Sequence, residues 1–159
     1  MRAMGVFLLL GVTGYLAFFV SLRRQRHLAL REGLLLLLYH LSANLESFSI
    51  PLSQIYASFQ NDALEKSGFL PTLRQAGLYG ALCAHKHNLA LSQEEEGLLY
   101  PFAKQIGKGF LKEEQALCRY TKESFEGLYG TAKRELPKKR KMEAALVVSG
   151  GLMVILLFI

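Results

Sequence analysis

Two long stretches without a charged side chain, one toward each end, constrain this chain more than any other feature. Ala3 to Leu22 (AMGVFLLLGVTGYLAFFVSL) is twenty residues between Arg2 and Arg23, and Ala144 to Ile159 (AALVVSGGLMVILLFI) is sixteen. A helix rises ~1.5 Å per residue, so the first covers the ~30 Å hydrocarbon core of a bilayer and the second, at ~24 Å, falls slightly short. Snorkelling of Arg140 and Lys141 with local bilayer thinning absorbs a mismatch of that size. A cleaved signal peptide would also place an Arg before an apolar run. This run is longer than the usual ~7–15-residue apolar region of a signal, and no A-x-A-like site follows it. Arg23, Arg24, Arg26 and Arg31 follow instead, and they stop transfer. The expectation is a transmembrane helix over 3–22, a second over 142–159, and a helical domain over 23–141 between them.

Charge sets the expected orientation. Lys and Arg beside a span are retained on the cytoplasmic side. Arg23, Arg24 and Arg26 follow the first segment, while Lys133, Arg134, Lys138, Lys139, Arg140 and Lys141 precede the second. Both asymmetries place 23–141 in the cytoplasm of a two-span cell-membrane protein. The net charge of +6 could also suggest nucleic acid. However, the run Lys138 to Lys141 abuts an apolar segment, without aromatic interleaving or a recognisable binding module. Membrane lipid, at ~1 kcal/mol per basic residue, is the economical partner, and no nucleic acid is expected.

The middle of the chain reads as helices throughout, an all-α class built as a small antiparallel bundle. Leu34, Leu38, Leu41, Leu45 and Phe48 recur at spacings of 4, 3, 4 and 3, one seam of a packed helix continuous with the first span. Leu35, Leu36 and Leu37 widen that seam. Ser49 and Pro51 mark a break and restart, with Ser49 the predicted N-cap, before Leu52, Ile55, Tyr56 and Phe59. Asn61 to Gly68 reads as a polar turn. Phe69 to about His87 is helical but interrupted by Gly77 and Gly80. Ser92 and Glu95 stand in capping-box register ahead of Leu98, Leu99, Phe102 and Ile106, and Gly107-Lys-Gly109 ends that helix. A last long helix places Leu111, Cys118, Phe125 and Ala132 seven apart, with Leu128 and Tyr129 filling the stripe. Pro137 should kink or break it.

No catalytic constellation emerges, and neither cofactor nor metal is expected. His85 and His87 are two apart, on different faces of a helix, where zinc pairs need a spacing near three or four. Glu94-Glu95-Glu96 reads as a solvated helix N-terminus. Gly107-Lys-Gly109 lacks the pattern and preceding strand of a phosphate loop. Cys83 and Cys118 form no CxxC and read as two buried thiols in a reducing compartment, an oxidised pair being the alternative. Ser149, Gly150 and Gly151 give the second span a small-residue face that would let helices, including those of a second copy, approach closely.

The order of these features resembles stage III sporulation protein AB of spore-forming Firmicutes, nearly end to end. Ala132 to Ile159 (AKRELPKKRKMEAALVVSGGLMVILLFI) resembles the family's charged helix, basic cluster, Gly-containing span and apolar terminus. Leu45 to Ile55 (LESFSIPLSQI) is similar to a second family stretch, the match being carried by Glu46, Pro51 and Leu52. Gln115 after a Gly-containing turn is a third. The family pattern has a Ser-Asp pair between that glycine and the Gln, where this chain has Gly109-Phe110, and the spacing from Gly107 to Gln115 is one residue longer than the family's. The resemblance implies a middle domain similar to those of the inner-membrane platform protein of type II secretion and type IV pilus machines. It implies a noncatalytic scaffold in a channel-like complex in the mother-cell membrane facing the forespore. The implied partners are a cytoplasmic secretion-type ATPase and other membrane components of the complex. A general secretion or pilus platform, or a small membrane-bound regulator, are the alternatives.

Overall fold

The computed structural model describes the backbone over residues 2–47 and 50–158, and the side chains over residues 22–23, 25–46 and 50–135. Among the described residues the elements are helices: α1 Arg2–Ser47, α2 Leu52–Ser58, α3 Asp62–Lys66, α4 Phe69–Ala84, α5 Lys86–Leu89, α6 Gln93–Gln105 and α7 Leu111–Phe158. The all-α expectation holds. The chain divides into two compact units, one of Met1–Gln25 with Thr131–Ile159, the other Arg26–Gly130. Among the described residues no helix is long and apolar enough to cross a membrane. The expected spans, 3–22 and 142–159, lie outside the described side chains except for Leu22.

The unit Arg26–Gly130 is built on the seam read from the sequence. Leu34, Leu38, Leu41 and Leu45 are buried, with Leu35 and Leu37, against Phe69, Leu70, Leu73, Phe102 and Phe125. Leu36 is not part of it: it lies on the open side of α1. Phe48 and Ser49 lie outside the described residues. The N-cap of α2 is Pro51, whose carbonyl accepts from Gln54 N–H at 2.9 Å, rather than Ser49. Proline's fixed φ prepares the chain for a first helical turn.

Two expectations are corrected in the stretch that follows. Asn61 to Gly68 is not a plain turn, because Asn61 Oδ1 accepts from Leu64 N–H at 3.1 Å and opens α3. The short helix drives Leu64 into full burial. Gly80 is helical, so only Gly77 interrupts α4, at φ 71 and ψ −179. That backbone is open to glycine and almost nothing else. The chain doubles back there. Thr72 Oγ1 and His85 Nε2 lie 3.0 Å apart, and the Phe69 and His85 rings meet edge to face at 5.9 Å. An unbroken helix would hold residues 72 and 85 ~20 Å apart.

The capping box is present as read: Ser92 Oγ accepts from Glu95 N–H at 3.2 Å, and Glu95 Oε2 accepts from Ser92 N–H at 2.7 Å. Pro101 sits inside α6 without ending it. Pro137 does not end α7 either, since that helix runs Leu111–Phe158. Proline's φ is itself helical, so the helix tolerates it by giving up one hydrogen bond at a cost of ~3 kcal/mol.

Candidate interaction site at one end of the bundle

Within Arg26–Gly130, α1 and α7 run antiparallel. Gln115 faces Leu45, Cys118 Sγ donates to Leu38 O at 3.9 Å, and Tyr39 Oη donates to Glu126 Oε2 at 2.7 Å. The C-terminus of α1 therefore meets the N-terminus of α7. At the opposite end, α1 grips the turn between α5 and α6. His27 Nδ1 lies 2.9 Å from Asn88 O, Arg31 donates to Ala90 O, and Arg31 Nη2 lies 3.4 Å from Glu95 Oε2. Glu95 is thus 1% exposed, so the solvated reading of the acidic run fails at its central residue. A helix N-terminus, a capping serine and a guanidinium together offset the cost of burying that carboxylate.

The end where α1 meets α7 gathers the residues picked out by resemblance. Gln115 Nε2 donates to Leu45 O at 2.6 Å, taking one of the carbonyls that every helix C-terminus leaves over. One turn along α7, Arg119 Nη2 donates to Glu46 Oε1 at 3.1 Å. Pro51 and Leu52 start α2 in the next connection. Leu52 packs against the α6–α7 turn so closely that a Cβ on Gly107 would come within 2.8 Å of its Cδ1. Gly107 also has φ +85, which admits glycine at little cost. The turn is closed by Lys108 N–H to Gln105 O at 3.1 Å and by Gly109 N–H to Glu114 Oε1 at 3.1 Å. Phe110 then opens α7, its carbonyl accepting from Glu113 and Glu114 N–H at 2.9 and 3.0 Å.

Four positions scattered over seventy residues converge on two adjoining connections, and a family model covers nearly all of the chain, residues 2–159. The chain belongs to the stage III sporulation protein AB family. Membership gives it a role in sporulation. No curated protein and no solved structure matches it.

In this family member the basic flanks are only partly described. Arg23 and Arg26 are exposed, while Arg24, Lys138, Lys139, Arg140 and Lys141 lie outside the described side chains. The expectation of two buried thiols holds for Cys118 alone, where burial pushes the thiol up to about 11, while Cys83 is exposed. Burial likewise raises the Tyr56 phenol to about 12. His85 is turned toward Phe69 and Thr72, and His87 is exposed. Among the described residues no group of three His, Cys, Asp or Glu is placed to hold a metal ion.

Two surface features escaped the sequence reading. One is a ladder on α4 and α6: Lys104 Nζ lies 5.1 Å over the Tyr79 ring, Tyr79 meets Tyr100 at 6.1 Å, and Lys86 Nζ lies 5.9 Å from Tyr100. Its Lys and Tyr positions are far apart in sequence until the reversal at Gly77 is known. The other is Phe110, 81% exposed. An aromatic between two lysines in a Gly-rich turn was the available signal.

Proposed function

We propose that the protein is a noncatalytic membrane scaffold of a secretion-like channel complex acting between mother cell and forespore in endospore formation. The family match across residues 2–159 carries the reading. It is supported by the uncharged ends and the positive residues bordering them, Arg23, Arg24 and Arg26 on one side and Lys138, Lys139, Arg140 and Lys141 on the other. Lipid holds both ends, and the unit Arg26–Gly130 stands in the mother-cell cytoplasm. There it offers helical surface to a secretion-type ATPase and, near the bilayer, to other membrane components or a second copy. Its part is similar to that of the inner-membrane platform protein of secretion and pilus machines.

Protease added outside intact cells should remove a tag at Ile159 and spare the central unit. Digestion of the centre with the tag protected would reverse the topology and end the proposal. Co-purification in mild detergent should bring down the ATPase, and its absence from the purified complex would remove the platform role.

A further inference from the structure

The turn between α5 and α6 is held under strain. Ala90 takes φ 46 and ψ 47, left-handed backbone that a side-chain-bearing residue adopts only at a cost. Its carbonyl accepts from Arg31, and Asn88 O lies 2.9 Å from His27 Nδ1. Arg31 Nη2 lies 3.4 Å from Glu95 Oε2. A side-on pair of guanidinium and carboxylate would use two atoms of each group. Here Arg31 Nε and Glu95 Oε1 are buried and, among the described residues, neither has a hydrogen-bond partner. The hold of α1 on this turn is polar and half made.

Behind the turn stand two arms, the second half of α4 (residues 78–84) and α6, braced to each other. The Tyr79 and Tyr100 rings meet at 6.1 Å, and Lys104 Nζ lies 5.1 Å over Tyr79. Tyr100 Oη donates to Leu82 O at 3.2 Å, and Lys86 Nζ reaches Glu96 Oε2 at 3.0 Å. Those pairs run the arms antiparallel, which brings Gly77 level with the end of α6, where Gly107 follows. Both glycines have positive φ, 71 and 85. Residues 78–106 are thus a braced hairpin with a glycine at each foot and the grip of α1 at its tip, ~18 Å away along α6.

We propose that this hairpin is a lid: it swings as one body about Gly77 and Gly107, and His27 and Arg31 latch it shut. Glycine passes between backbone regions that a Cβ closes to other residues. Changes of φ and ψ at the two feet therefore move the hairpin without breaking its braces. Release at the tip relaxes Ala90 and returns Arg31 and Glu95 to water. The swing then bares Leu82, Leu89, Leu99 and Phe102, which are 0%, 1%, 2% and 1% exposed in the closed form. That apolar cost keeps the lid closed most of the time and makes opening a sub-global event. Both latch residues belong to α1, a single helix over Arg2–Ser47, so one displacement of α1 undoes all three tip contacts. The lid stands whether or not the scaffold reading does.

Native-state hydrogen–deuterium exchange of the full chain in detergent, followed peptide by peptide at low urea, tests this. In the wild type the amides of residues 78–106 should converge on one opening equilibrium, more populated than that of residues 34–45 and 115–129. His27→Ala removes the bond to Asn88 O alone. It should raise exchange through the whole hairpin about threefold to tenfold, at Leu99 and Phe102 as well as at the tip, and leave α7 unchanged. Faster exchange confined to residues 86–95 would mean a fraying turn and overturn the lid. A wild-type hairpin that opens only together with α1 and α7 would overturn it too, whatever the variant does. No change anywhere in His27→Ala would remove the latch, and the proposal with it.

Discussion

Replacing Gly77 with Ala isolates one physical cause. A Cβ at Gly77 would meet nothing within 4 Å, so no steric contact enters. The cost is the backbone alone, at φ 71 and ψ −179, a conformation that charges a side-chain-bearing residue ~1–3 kcal/mol. Alanine returns ~0.4–1 kcal/mol by narrowing the unfolded ensemble, leaving a net loss of ~1–2 kcal/mol. For a unit of ~100 residues each kcal/mol moves Tm by ~4–8 °C, so Gly77→Ala should lower it by roughly 5–15 °C. Gly127 provides the opposite sign. It lies in α7, is exposed, and a Cβ there also meets nothing within 4 Å. In an ordinary helix Gly→Ala gains ~0.5–1 kcal/mol, so Gly127→Ala should melt a few degrees higher. Circular dichroism at 222 nm on the full chain in one detergent measures both. A Gly77→Ala protein that melts at or above the wild-type temperature would refute the reversal at Gly77, because a continuous α4 would welcome the alanine.

Gly33→Ala should destabilise by ~1–3 kcal/mol, read as a lower urea midpoint, since its Cβ would stand 2.8 Å from the buried Leu64 Cγ and 2.9 Å from the Asn61 Oδ1 that caps α3. At pH 8 a disulfide reagent such as DTNB should modify exposed Cys83 and spare Cys118 until denaturant is added, and two fast thiols of equal rate would contradict the burial. Burial raises Cys118 from 9.0 to about 11 and Tyr56 from 10.0 to about 12, so the unfolded chain loses these protons first. Stability from both is whole below pH 9 and falls as pH climbs through 11 to 12. Cys118→Ala should shallow that fall, measured as urea midpoints at pH 8 and 10. Gln115→Ala should cost ~0.5–1.5 kcal/mol by removing the donor to Leu45 O, and an unchanged melt would show that water replaces it fully.

What could be read from the sequence is what residues within one or two turns decide among themselves. The seam Leu34–Leu38–Leu41–Leu45 and the Ser92–Glu95 box depend only on partners three or four positions away, and both are present. Leu36 looked like core because a run of leucines blurs the stripe, yet at ~100° per residue it must face away from Leu34 and Leu38. The helix α3 is signalled by Asn61 with Asp62 and Glu65 in its first turn, but five residues are too few for periodicity to register. Gly77 was legible as an interruption and not as a reversal, because the same residue could cap, kink or simply sit in a helix. The burial of Glu95 depends on Arg31, sixty-four residues earlier, which no local pattern contains.

The same division runs through the candidate site and separates residues that hold it from residues that it displays. Resemblance supplied Glu46, Pro51, Leu52 and Gln115, but not the fact that they meet. In the fold three of them turn toward the protein itself: Gln115 to the end of α1, Glu46 to Arg119, Leu52 to the flank of Gly107. A polar group spent on an internal bond is not available to a partner. A substitution there acts through the shape of the turn, and so moves stability. Phe110 makes no such internal commitment through its side chain, being 81% exposed. Its removal should therefore leave the melt in place, whereas Gln115→Ala lowers it, and that difference is what distinguishes a displayed side chain from the supports of the turn.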